Sequence, residues 1–101
     1  MRLRGKTALV TGGGTGLGRA MTARFQELGA AVTICGRRLE VLQETAAALN
    51  ATPGGPDVTA QGCDIRDAAA VDAMLDRIWQ DGPLDILVNN AAGNFVARSE
   101  T

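Results

Sequence analysis

The stretch Lys6-Thr-Ala-Leu-Val-Thr-Gly-Gly-Gly-Thr-Gly-Leu-Gly-Arg19 decides how the rest of the chain is read. Its first part, Thr7 to Thr11, reads as a short buried strand; glycines follow at once, and a helix is predicted from near Leu17. A strand that ends in glycines and opens a helix is how α/β proteins build a phosphate site. The helix N-terminus offers unpaired N–H groups and a partial positive charge, and both favour an anion. Glycine is needed because a side chain would block the phosphate or forbid positive φ. Gly12 is expected to make the tight turn, Gly16 to let the backbone approach a pyrophosphate, and Gly18 to let helix and strand pack closely. Gly14, Thr15 and Leu17 complete the candidate loop. The plain alternative is a glycine-rich surface turn.

Spacing narrows the choice. No G-x-G-x-x-G is present, because from Gly12 the last position is Leu17 and from Gly14 it is Arg19. The P-loop pattern also fails: Gly13 to Gly18 is followed by Arg19-Ala20, which supplies neither a lysine for phosphate nor a hydroxyl for Mg²⁺. What fits is Thr-Gly-x-x-x-Gly-x-Gly at Thr11, Gly12, Gly16 and Gly18.

Downstream, Leu17, Met21, Phe25 and Leu28 recur at helical spacing, with Arg19, Arg24, Gln26 and Glu27 elsewhere around the helix and Gly29 at the C-cap. Ala30 to Cys35 reads as a second strand. Leu39, Leu42, Ala46 and Leu49 mark a second helix, and Asn50 to Pro56 is a loop on turn chemistry. Val58 to Cys63 is a third strand, less apolar and so a candidate sheet edge. Val71, Met74, Leu75 and Ile78 give a third helix with Asp67 as N-cap; Asp81-Gly82-Pro83 ends it, and Leu84 to Asn89 is a fourth strand. Alternating strands and helices predict an α/β fold: half of a doubly wound parallel sheet of the Rossmann type, with three crossover helices. The expected strand order is 3-2-1-4, and a ligand belongs at the carboxyl ends of strands one and four.

The composition bounds the function. At 101 residues and 46% apolar, the chain is expected to form one small globular domain, residues 1–101, around a single core. Its net charge of −1, scattered along the chain, argues against a nucleic-acid or membrane partner. No apolar run approaches a membrane span and no signal peptide is visible, so a cytoplasmic protein is expected. There is no histidine, and Cys35 and Cys63 are the only cysteines, so no metal site is expected. Both cysteines fall at predicted strand ends; reduced core thiols are the reading taken, with a disulfide between neighbouring strands as the alternative.

In dinucleotide sites an acid at the end of strand two holds the ribose hydroxyls of NAD, whereas an arginine suits the 2′-phosphate of NADP. Here Gly36 stands in the acid's place and Arg37 and Arg38 follow. A charge-assisted arginine–phosphate contact contributes about 1.5–3 kcal/mol, roughly 10- to 150-fold in preference. NADP(H) is therefore predicted over NAD(H). The alternative is that both arginines are solvated charges at a helix start.

Three motifs together resemble the short-chain dehydrogenase/reductase family: the loop from Thr11 to Gly18, Cys63-Asp64-Ile65, and Asn89-Asn90-Ala91-Ala92-Gly93. The resemblance covers residues 3 to 100 and implies an NAD(P)-dependent oxidoreductase of homo-oligomeric assembly. It places Asp64 at the adenine and Ile65, Asn90 and Ala91 along the cofactor; the plain alternatives are a turn or capping role for Asp64 and an asparagine pair that merely caps a strand. Two departures stand out. Asn89-Asn-Ala-Ala-Gly93 carries one alanine more than the family's motif, and Thr15 occupies the place where many NADP-using relatives carry a basic residue. Thr11 to Gly18, Cys63-Asp-Ile-Arg-Asp67 and Asn89-Asn-Ala-Ala-Gly-Asn-Phe95 are similar to the branch that reduces 2,4-dienoyl-CoA thioesters with NADPH. That likeness implies an acyl-CoA substrate, with Arg66 toward the CoA phosphates and Phe95 walling the acyl pocket. The alternatives are a solvated loop charge and a core plug, and a carbonyl- or alcohol-specific relative for the branch itself.

Most of the family moves its proton through a Tyr-x-x-x-Lys pair with serine and asparagine. This chain has no tyrosine, its only lysine is Lys6 and its only serine is Ser99, so no catalytic residue is assigned. The expectation is the cofactor-binding N-terminal part of a longer reductase, for which strand four would otherwise be an open sheet edge. A non-catalytic NADP(H)-binding module and a degraded relative kept as a scaffold are the other readings.

Overall fold

The structure, a computed structural model, describes residues 3–12, 16–51, 55–80 and 82–89. In chain order its elements are β1 (Thr7–Thr11), α1 (Gly16–Glu27), β2 (Ala31–Gly36), α2 (Leu39–Asn50), β3 (Thr59–Gly62), α3 (Ala68–Gln80) and β4 (Ile86–Asn89). The four strands form one parallel sheet in the order β3-β2-β1-β4, as the alternating pattern predicts.

Pleating sends alternate side chains to opposite faces and so builds two apolar layers. Ala8, Val10, Val32, Ile34, Leu42, Ala46 and Val58 form one layer, which takes in Phe25 of α1 and Leu49 of α2. Leu9, Cys35, Cys63, Val71, Met74 and Ile78 form the other, beneath α3. β1 is fully buried from Ala8 to Thr11, as a central parallel strand covered on both faces should be. β3 is polar and partly exposed, in keeping with its edge position.

Local chemistry sets the helix ends. Gly29 adopts φ +99°, its N–H donates to the Gln26 carbonyl at 3.0 Å, and the Ala30 N–H donates to the Phe25 carbonyl at 3.0 Å. That paired arrangement is a Schellman stop, which the glycine makes accessible. Asp67 Oδ1 accepts from the Ala69 and Ala70 N–H groups at 3.1 and 3.2 Å, so the expected N-cap of α3 is in place.

Two expectations shift. The stripe of α1 that is buried is Gly18, Thr22 and Gln26, while Leu17 is 65% exposed. The small Gly18 and Thr22 lie on the buried face of the helix, and Leu17, next to Gly18, points to the exposed one. Thr22 and Gln26 are tolerated inside because their polar atoms are satisfied. The Thr22 hydroxyl donates to the Gly18 carbonyl at 2.8 Å, and Gln26 Nε2 donates to Asn50 Oδ1 at 3.2 Å and to the Pro56 carbonyl at 3.1 Å. Asn50 is the last residue of α2 and not a loop residue. It closes this network by accepting the Val58 N–H at 2.7 Å and donating to the Val58 carbonyl at 3.0 Å. Gly55 lies against the same knot, where a Cβ would overlap the Gln26 carbonyl oxygen.

Candidate functional site

Because all strands run parallel, the C-terminal ends of β1, β2, β3 and β4 lie along one rim of the sheet. Thr11 and Gly12 end β1 there. Gly12 turns the chain with φ +67° and donates its N–H to the Cys35 carbonyl at 2.9 Å, which ties the turn to the end of β2. On the other side the Thr11 hydroxyl reaches Asn89 Oδ1 at 3.1 Å and the Val88 carbonyl at 3.3 Å, which links it to the end of β4. The Asn89 side chain thus binds the central strand to its neighbour.

α1 starts at Gly16 with φ +57°, and a Cβ built there meets nothing within 4 Å. The glycine is therefore demanded by backbone conformation, and the space above it is open. The first turn of α1 contains no acidic residue, and Gly18 is buried against the sheet. An open helix N-terminus of this kind suits an anionic group. Gly14 and Thr15 lie outside the described residues, as do Asn90, Ala91 and Phe95.

β2 ends at Gly36. A Cβ at Gly36 would come no closer than 3.6 Å to Leu42 Cδ1, an ordinary contact, so neither φ nor packing requires glycine there. A side chain would have room at this strand end. Arg37 and Arg38 are exposed beyond it, and Arg38 is the N-cap residue of α2 without a side-chain cap.

β3 leads into a tight turn from Asp64 to Asp67, closed by the Asp67 N–H to the Asp64 carbonyl at 2.9 Å. Asp64 Oδ1 accepts the Arg66 backbone N–H at 3.0 Å and Arg66 Nε at 3.1 Å, while Asp64 Oδ2 accepts Arg66 Nη2 at 3.1 Å. These bonds from Arg66, with Arg37 contributing, pull the Asp64 carboxyl down to about 2 from the ordinary carboxylate range. Ile65 turns its side chain to the α3 layer, so it serves the core at this position. The Arg66–Asp64 fork is the feature that sequence reasoning missed. An acid and an arginine two apart in a turn was the available signal.

Behind the rim, Cys35 and Cys63 are both free thiols and both buried. Burial, with Cys63 adding to it, pushes the Cys35 thiol up to about 12, so it stays protonated and unreactive. This is the reduced core pair expected from the sequence. Among the described residues no helix is long and apolar enough to cross a membrane.

Known proteins resemble this chain in sequence and in fold. A probable 2,4-dienoyl-CoA reductase of Caenorhabditis elegans is 48% identical over 101 residues, 97% of this chain and 32% of its own length. A sorbitol dehydrogenase of Cereibacter sphaeroides is 45% identical over 96 residues, 91% of this chain and 34% of its own length. Among solved structures, the Pseudomonas aeruginosa RhlG/NADP active-site complex superposes with a TM-score of 0.79 at 37% identity, covering 90% of this chain and 36% of that one. The chain thus spans about a third of the length of the curated relatives it matches. Residues 6–101 match the short chain dehydrogenase family, and with the strand order and rim described above the chain belongs to that family of NAD(P)-binding oxidoreductases.

Proposed function

We propose that this chain is the cofactor-binding part of an NADP-dependent oxidoreductase that reduces 2,4-dienoyl-CoA thioesters. The observation that carries the cofactor preference is the end of β2. Gly36 leaves out a charge where a side chain has room to begin, and Arg37 and Arg38 follow at the start of α2. Removing an acid there removes repulsion toward a 2′-phosphate, and an arginine fork adds attraction. Gly12, Gly16, Leu17 and Gly18, with Gly14 and Thr15, would hold the pyrophosphate. Asp64 would meet the adenine, and Asn90, Ala91 and the backbone of Ile65, whose side chain packs in the core, would line the cofactor. When bound, the cofactor supplies the hydride. The residues described here bind and orient it, and the proton is left to residues not assigned on this chain.

The dienoyl-CoA substrate rests on the motifs around Gly16, Asp64 and Asn90 and on the relative that carries that name. On this reading Arg66 and Phe95 face an acyl-CoA, the protein is a cytoplasmic homo-oligomer, and residues 1–101 are its cofactor-binding part. The sorbitol dehydrogenase likeness supports a second reading, a carbonyl or alcohol substrate on the same cofactor platform.

The experiment is a binding titration of the full-length protein with NADPH and NADH. Arg37→Ala should weaken NADPH by about 10- to 150-fold and leave NADH within a few-fold. Unchanged NADPH affinity would mean that Arg37 does not hold the 2′-phosphate, and the NADP assignment would fall. Turnover of a dienoyl thioester against a sugar alcohol or ketone then separates the two substrate readings.

A further inference from the structure

The Arg66–Asp64 pair is better built than its exposure suggests. Its side chains are 72% and 39% exposed, and an isolated surface ion pair of that kind adds little to stability. Yet Asp64 receives three hydrogen bonds from Arg66 within a turn that is itself closed by a backbone bond and followed at once by the α3 cap. A carboxylate offers about four lone-pair positions, two on each oxygen. Arg66 fills both on Oδ1 and one on Oδ2. One acceptor position, on Oδ2, is left over by this fork.

We propose that Arg66 is a positioning residue: it fixes the Asp64 carboxylate so that the remaining Oδ2 position accepts one N–H donor, the exocyclic amine of the adenine. This deepens the proposed function and rests on its placement of Asp64 at the adenine. The geometry explains why an arginine and not a lysine stands here. Only the planar fork reaches both carboxylate oxygens at once; with a lysine the backbone N–H would still hold Oδ1, but an ammonium is a point charge that leaves Oδ2 without a fixed partner. It also gives Arg66 a duty on the cofactor side of the rim, apart from the CoA phosphates. Because the pair is exposed, the fold does not depend on it, so variants at position 66 should fold normally.

The test uses the full-length protein, titrated with NADPH and with its 6-deamino analogue, in which hypoxanthine replaces adenine and the amine is absent. The parent should prefer NADPH by about 10-fold, the scale of a hydrogen bond to a charged acceptor. Arg66→Ala should reduce that preference to about 3-fold or less, and Arg66→Lys should fail to restore it, with thermal midpoints unchanged. Asp64→Ala should abolish it. A parent that binds both cofactors equally would remove Asp64 from the adenine, and the role of Arg66 with it. A parent that discriminates while Arg66→Ala discriminates just as well would overturn the positioning role and leave the Asp64 assignment standing. If that same variant binds an acyl-CoA less tightly, Arg66 belongs to the substrate.

Discussion

Asn50→Ala is expected to lower the unfolding free energy by about 2–4 kcal/mol, because it strands several buried polar groups at once. Asn50 Oδ1 accepts from the Val58 N–H and from Gln26 Nε2, and its Nδ2 donates to the Val58 carbonyl. Val58 is 4% exposed and Gln26 6%, so water does not readily replace what is lost. The cost of an unmade buried hydrogen bond exceeds the net gain from making one, which is why a single amide side chain carries this much. A denaturant titration of the full-length protein measures it. Asn50→Asp keeps both accepted bonds but loses the donated one, and should fall between parent and alanine. A loss below about 1 kcal/mol for Asn50→Ala would show that the knot joining α1, α2 and the entry to β3 is replaceable by solvent.

Met74→Ala should be comparably severe, at about 2–5 kcal/mol, through a different cause. Met74 is completely buried at the centre of the α3 layer, against Leu9, Cys35, Cys63, Val71 and Ile78. Truncation removes its transfer free energy and leaves a cavity that a parallel sheet, braced from its other face, is poorly able to close. Met74→Leu conserves volume and should cost less than about 1.5 kcal/mol. A Met74→Ala variant as stable as the parent would show that α3 settles onto the sheet to refill the space.

Sequence made the architecture legible where a structural rule is local. Asp67 capping α3 and Gly29 stopping α1 were readable because each needs only its immediate neighbours. The strand order followed from alternation and right-handed crossovers, and the polar β3 from its position at an edge. Periodicity misplaced the buried stripe of α1, since Leu17 to Leu28 at helical spacing outweighed the small Gly18 and Thr22 beside them. In fact the buried face carries the small residues Gly18 and Thr22, and apolar Leu17 is exposed. Gln26 and Asn50 were illegible for a related reason: their burial depends on partners in other elements, Pro56 and Val58. Within the candidate site, residue types indicated the rim and the glycine geometry. They did not show that Arg66 turns back on Asp64, because that depends on the turn between them.

The central position of β1 has a consequence for the order in which this sheet assembles. β1 is the first strand of the chain, yet its two neighbours come from very different distances. β2 follows after one helix, whereas Thr11 meets Asn89 across 78 residues. Closing the longer loop costs about 1 kcal/mol more in chain entropy, a modest premium that grows with the logarithm of length. The β1–β2 pair is therefore expected to form early, with β4 zipping onto an existing edge. In pulse-labelled hydrogen exchange during refolding, the amides of Val32 and Ile34 should gain protection before those of Leu87 and Val88. Simultaneous protection would mean instead that the sheet condenses in one step. Sequential closure would let the rim that gathers Gly12, Asp64 and Asn89 take shape only as the last of these strands docks, so that cofactor affinity reports completion of the fold.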